Sequence, residues 1–181
     1  MRFLPLTVLL LFALPVAAQE PMREVTADLD RDGSPETYAL IENGRGTVDL
    51  VVDGRAGRRT AGDVAWTGGM PGQEPGLSLS PSGSVLLTSR NDSVGRDRWT
   101  LTLTLAYREG DLRVAGITYG WRDTLGPQTG WGGCDLNLLT GRGTVTGPGG
   151  EQGIVVPFPA PRLWEWREAD LPQRLPAECF G

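Results

Sequence analysis

The run Asp28-Leu29-Asp30-Arg31-Asp32-Gly33-Ser34-Pro35-Glu36 carries carboxylates at its first, third, fifth and ninth positions and a glycine at its sixth, where the chain must turn sharply. Alternate side chains of such a loop point to one centre. A hard cation such as Ca²⁺ takes about six to eight oxygens at roughly 2.3 to 2.6 Å. Asp28, Asp30, Asp32 and Glu36 by side chain, Ser34 by its carbonyl at the seventh position, and water supply such a set. An EF-hand loop would run to a bidentate Glu at its twelfth position. Here that position is Ala39, inside a strand-like segment, so a shorter loop within a hairpin fits better. Asp and Gly also build bare turns, but four carboxylates this close repel one another without a cation. The expected role of the ion is structural. At millimolar Ca²⁺ and a dissociation constant near 10 μM it adds about 2.7 kcal/mol to stability.

The spacing resembles the calcium hairpin loops of the FG-GAP and VCBS type. That resemblance implies the same ligands: Asp28, Asp30, Asp32 and Glu36 by side chain and Ser34 by its carbonyl. Two positions depart from the pattern: Glu36 stands where Asp is commoner, and Arg31 where a small residue is usual. The first lengthens a ligand arm and the second sets a positive charge beside the ion, so both lower affinity. A wider likeness runs from Asp28 to about Gly143. It takes in the Asp-rich loop, the hairpin from Arg96-Asp97-Arg98-Trp99 to Tyr119, and Cys134-Asp135-Leu136-Asn137-Leu138-Leu139-Thr140-Gly141. In these the chain resembles a group of exported bacterial β-proteins to which no activity is assigned.

Other chemistry is narrowly bounded. All 17 basic residues are arginine, and the 181 residues include neither lysine nor histidine. No Ser-His-Asp or Cys-His arrangement, imidazole metal ligand, Schiff base or P-loop lysine can form. Carboxylate chemistry, oxygen-ligand metal binding or no catalysis remain. The formal charge is −5, and Arg58-Arg59 is the one basic cluster. Phosphate backbones are repelled, so no nucleic-acid partner is expected.

Arg2, an apolar run over residues 3–14, and the small residues Val16 and Ala18 read as a signal peptide over residues 1–18, cleaved before Gln19. The run is shorter than the roughly 20 residues that cross a bilayer, so no membrane span is expected. The destination is the periplasm or the medium. Residues 19–181 then form a single β domain with the calcium loop near its start. Cys134 and Cys179 are the two cysteines. In an oxidising compartment they are expected to pair and tie the C-terminal tail to the body.

The loop is positioned by short strands. With 26 Gly and 14 Pro, the chain is heavily punctuated, and its apolar residues alternate with period two. Strands are expected at residues 38–41, 48–52, 77–79, 85–87, 135–139 and 154–157, the last at an edge. The clearest signal is 98–107, where Trp99, Leu101, Leu103, Leu105 and Tyr107 alternate with Thr100, Thr102, Thr104 and Ala106. With the turn at Glu109, Gly110 and Asp111 and a return over 112–121, it forms a hairpin at the centre of the sheet. One helical turn at 61–66 and a short helix at 163–169 stopped by Pro172 are expected, with loops at 67–75 and 141–153. The fold class is all-β: an antiparallel sandwich or partly closed barrel with minor short helices.

Six tryptophans, Trp66, Trp99, Trp121, Trp131, Trp164 and Trp166, raise a carbohydrate reading, because sugars stack on exposed indoles. Trp99 belongs to the apolar stripe. Trp131, among glycines, and Trp121 at the hairpin end are the platform candidates. Asp92, Asp97, Glu109, Asp111 and Asp123 lie near strand ends, where a glycosidase would need two opposed carboxylates. The expectation is an exported calcium-binding β domain, a non-catalytic binding or structural protein whose partner is a glycan or a cell-envelope protein. The second reading is a carboxylate-dependent protein that binds or hydrolyses glycans.

Overall fold

A computed structural model describes residues 20–126, 128, 130–156 and 158–180; the signal segment read over 1–18 lies outside these. The small sheet holds β1 (Arg23–Ala27), β2 (Glu36–Glu42), β3 (Thr47–Gly54) and β4 (Gly57–Trp66) in that order. The large sheet holds β5 (Gly76–Leu79), β6 (Val85–Asn91), β7 (Asp97–Arg108), β8 (Asp111–Asp123), β9 (Trp131–Asn137), β10 (Arg142–Gly147) and β11 (Gly150–Val155), in the order β11-β10-β9-β8-β7-β6-β5. All pairings are antiparallel and each sheet keeps two free edges, so the architecture is a sandwich rather than a closed barrel.

Alternation decides which faces meet. Val48, Leu50 and Val52 point inward from β3, and Leu101, Leu103 and Leu105 from β7, all buried. In register, Leu103 lies opposite Leu87 and Ile117, and Ile117 opposite Leu136, giving a buried apolar rung across four strands. The next rung, Thr88, Thr102, Thr118 and Asp135, belongs to the opposite face. The hairpin read at 98–121 sits mid-sheet, as its pattern required. The segment after β11 lays Leu163, Trp166, Leu171, Leu175 and Cys179 into the same core.

Four segments differ from the sequence reading. Residues 61–66 are the end of β4 and not a helical turn. A bulge opposite Val48 and Leu50, with Asp63 at φ 54°, shifts the alternation so that Ala61, Val64 and Ala65 are buried. Their spacing imitates one face of a helix. Residues 141–153 are not a loop but the β10–β11 hairpin, two Thr- and Gly-rich strands at the margin of the large sheet held by backbone pairing more than by side-chain burial. β11 is the outer strand, as read, and Pro157 lies outside the described residues. The helix read at 163–169 is two 3₁₀ turns, Leu163–Glu165 and Glu168–Asp170, and the α-helical turn follows at Leu171–Arg174. Pro172 opens that turn instead of stopping a helix, because a first-turn residue needs no intrahelical N–H. β1 had no apolar signal; it is a largely exposed edge strand.

Candidate metal centre and adjoining cleft

The acidic run joins β1 to β2, and its shape follows from side chains that bind the loop's own amides. Asp28 accepts the Asp32 N–H on Oδ1 at 3.1 Å and the Gly33 N–H on Oδ2 at 3.0 Å. Asp30 Oδ1 also accepts the Asp32 N–H, at 3.0 Å, and Asp32 Oδ1 accepts the Ser34 N–H at 2.8 Å. These Asx-type bonds wrap the loop. Gly33 takes φ 85°, a left-handed geometry that favours glycine, so the sixth-position glycine is a backbone requirement. Leu29 packs on the core and anchors the loop from beneath.

The consequence is convergence. Asp28, Asp30, Asp32 and Glu36 each offer a carboxylate oxygen, all within 4.8 Å of one another, and together they could hold a metal ion. Among the described residues no arginine is ion-paired with any of them; Arg31 is exposed, at φ 63°. Glu36 Oε2 accepts the Leu29 N–H at 3.3 Å and the Tyr38 hydroxyl at 3.2 Å. Burial, and then the charges of Glu36, Asp30 and Asp28, push the Tyr38 phenol above its ordinary value. The site is a pocket of negative potential.

Asp30, Asp32 and Glu36 also form one wall of a cleft of about 320 Å³, shared with the β3–β4 turn, the β7–β8 turn and Trp164. The opposite wall is tightly tied. Asp111 Oδ1 accepts the Trp164 indole N–H at 2.7 Å and an Arg59 N–H at 3.3 Å, and Arg59 Cζ lies 3.7 Å from the centroid of the Trp164 ring. Burial acts to raise the Asp111 carboxyl. The Trp164 and Leu112 N–H groups with Arg59 and Arg162 outweigh it and hold the group below the ordinary carboxylate range. Trp164 and Arg59 stand far apart in the chain, and no local pattern announces their meeting.

The remaining sequence candidates do not gather into a site. Glu109 and Asp111 lie at the turn end of the twelve-residue β7, while Asp97 and Asp123 face each other at its far end. Asp92 pairs with Arg122, Glu109 with Arg113, and Asp123 with Arg96, which brings the Asp123 carboxyl down to about 2. Trp121 lies opposite Gly132, next to Trp131, so the two indoles occupy opposite faces. Trp121 is half-buried and donates its indole N–H to the Cys179 carbonyl at 3.1 Å, which gives it a packing role. Trp131 is exposed beside a groove at the β10–β11 hairpin. Cys134 and Cys179 are joined, Cα–Cα 5.2 Å, and fasten the last 3₁₀ turn (Ala177–Phe180) to β9.

Fold and site together define an all-β sandwich whose first hairpin loop can hold a metal ion. Comparison with protein-family profiles, curated proteins and solved structures finds no match. Among the described residues no helix is long and apolar enough to cross a membrane.

Proposed function

We propose that this is an exported calcium-binding β-sandwich of the periplasm or medium, acting as a binding or structural protein, with Ca²⁺ held by Asp28, Asp30, Asp32, Glu36 and the Ser34 carbonyl. The supporting observation is the convergence of four carboxylate oxygens within 4.8 Å, none of them ion-paired with an arginine among the described residues. Ca²⁺ suits an all-oxygen set presented by a pliable loop better than Mg²⁺, which demands a stricter octahedron and keeps its water. The ion closes the β1–β2 connection as a staple. The joined cysteines accord with an oxidising compartment. The likeness to FG-GAP and VCBS loops, and to the exported bacterial β-proteins, belongs to the same proposal.

Binding is favoured over glycan hydrolysis by electrostatics. A general acid needs a raised pKa, whereas Asp111 and Asp123 are both lowered and arginine-paired, and the raised carboxyl of Glu168 is engaged by Trp66 and Ser89 and lines neither the cleft nor the groove at Trp131. Thermal melting with Ca²⁺ and with EDTA tests the calcium reading. Saturation near 100 times the dissociation constant contributes about 2.7 kcal/mol, which for a chain of this size is a shift of about 5 to 10 °C. A melting temperature indifferent to both, with no metal by elemental analysis, overturns it.

A further inference from the structure

We propose that the cleft between the acidic loop and the Trp164 wall binds a short neutral saccharide. Its volume of about 320 Å³ falls at the lower end of the range of about 300 to 1,000 Å³ usual for small-ligand sites. Loops at one end of a sandwich are where such folds place their ligands. The lining is mixed in the way a pyranose requires. Val52, Leu112 and Tyr107 contribute the apolar part of the lining, which suits the C–H face of a sugar. Among the lining groups Asp32 and Glu36 offer acceptors, and Arg55 and the Tyr107 hydroxyl offer donors. Hydroxyl groups both donate and accept, so a sugar can use both at once.

The groups facing the cleft divide into a fixed frame and free partners. Arg59, Asp111 and Trp164 are engaged with one another and hold one wall rigid. Arg55 has no ion pair and the Tyr107 hydroxyl no hydrogen bond among the described residues, so both are available to a ligand. Charge narrows the class. Without an ion the carboxylates of Asp30, Asp32, Glu36 and Asp111 outnumber Arg55 and Arg59, which disfavours phosphates and uronates; with Ca²⁺ in the loop the lining is close to balanced and draws neither sign. The cleft opens at hairpin ends, and of the edge strand β4 only Gly57 and Arg59 line it, so an extended peptide has no long row of backbone groups to pair with. The preference for a neutral over a cationic ligand rests on the calcium reading, since a bound Ca²⁺ offsets the loop's charge; the cleft itself does not depend on it.

The test is a printed panel of neutral, uronic-acid and amino oligosaccharides probed with the full chain in Ca²⁺, followed by calorimetry on the binding members. Neutral members are expected to bind. Tyr107→Ala should weaken them about tenfold or more, Tyr107→Phe and Arg55→Ala by a smaller factor, and Trp131→Ala at the remote groove not at all. Far-UV circular dichroism checks that each variant folds; if Tyr107→Ala does not, Tyr107→Phe and Arg55→Ala carry the comparison. A separate Ca²⁺ titration without sugar reports on the loop alone, so sugar binding without calcium binding upholds the cleft and removes the metal. No neutral member bound, a preference for uronic or amino members, or binding lost in Trp131→Ala and kept in the cleft variants would overturn the proposal.

Discussion

Replacing Glu168 with glutamine should remove most of the pH dependence of stability between about pH 4.5 and 7. Glu168 is partly exposed as a residue, but its carboxyl is the covered end. It accepts the Trp66 N–H at 3.0 Å and the Ser89 hydroxyl at 3.0 Å, where the C-terminal segment crosses β4 and β6. Burial raises this carboxyl from 4.5 to about 7, against those two hydrogen bonds, which favour the charged form. Between these values the folded protein keeps a proton that the unfolded chain has released. The contribution is therefore fully present below about pH 4.5 and is lost as pH rises through about 7. At about 1.4 kcal/mol per pH unit the loss is on the order of 3 kcal/mol. Glutamine keeps an acceptor for the Trp66 N–H and has no proton to release. Urea unfolding of both proteins, followed by tryptophan fluorescence from about pH 5 to 8 at fixed Ca²⁺, should show the wild type losing stability relative to E168Q by roughly that amount. Parallel curves, or a wild type that gains on the variant as pH rises, would refute the assignment of a buried, proton-holding carboxyl.

The joined Cys134 and Cys179, 45 residues apart, should contribute about 4 kcal/mol by restricting the unfolded chain; denaturation of the double serine variant measures it, and two titratable thiols in the native protein would contradict the pairing. Trp166 is fully buried and donates its indole N–H to the Val64 carbonyl at 3.1 Å. Trp166→Ala should cost about 3 to 5 kcal/mol in urea midpoint experiments, and a loss under 1 kcal/mol would mean that the C-terminal segment does not close the core. At Gly133 an added Cβ would lie 2.2 Å from the Tyr119 carbonyl oxygen, so Gly133→Ala should destabilise by about 1 to 3 kcal/mol; a neutral effect would place β8 and β9 further apart than described.

What the sequence made legible was the part governed by period and local chemistry. Leu101, Leu103 and Leu105 alternate with threonines, and that alone orients β7 with its apolar side in the core. The Asp28 to Glu36 spacing likewise announced its cluster, because all four carboxylates lie in one loop that its own amides wrap. Illegible parts depend on partners distant in the chain. β4 misled because a bulge over residues 62–64, with Asp63 at φ 54°, converts strand alternation into helix-like spacing. β10 and the start of β11 hid behind Thr and Gly, which pair through backbone bonds and leave little apolar mark; only the end of β11, at Ile154 and Val155, showed in the sequence. Trp164 was legible only as part of a short amphipathic stretch. Its hydrogen bond to Asp111, 53 positions away, makes it a wall of the cleft.

The most direct measurement of the central claim is a calorimetric Ca²⁺ titration of the chelator-stripped protein beside an Asp30→Asn, Asp32→Asn double variant, both checked for folding by circular dichroism. Removing two of the four converging carboxylates strips charge and ligands from a site whose affinity depends on both. The account predicts one ion bound per wild-type chain and no measurable binding by the variant. Absence of binding by the wild type, or equal binding by the two proteins, would contradict it.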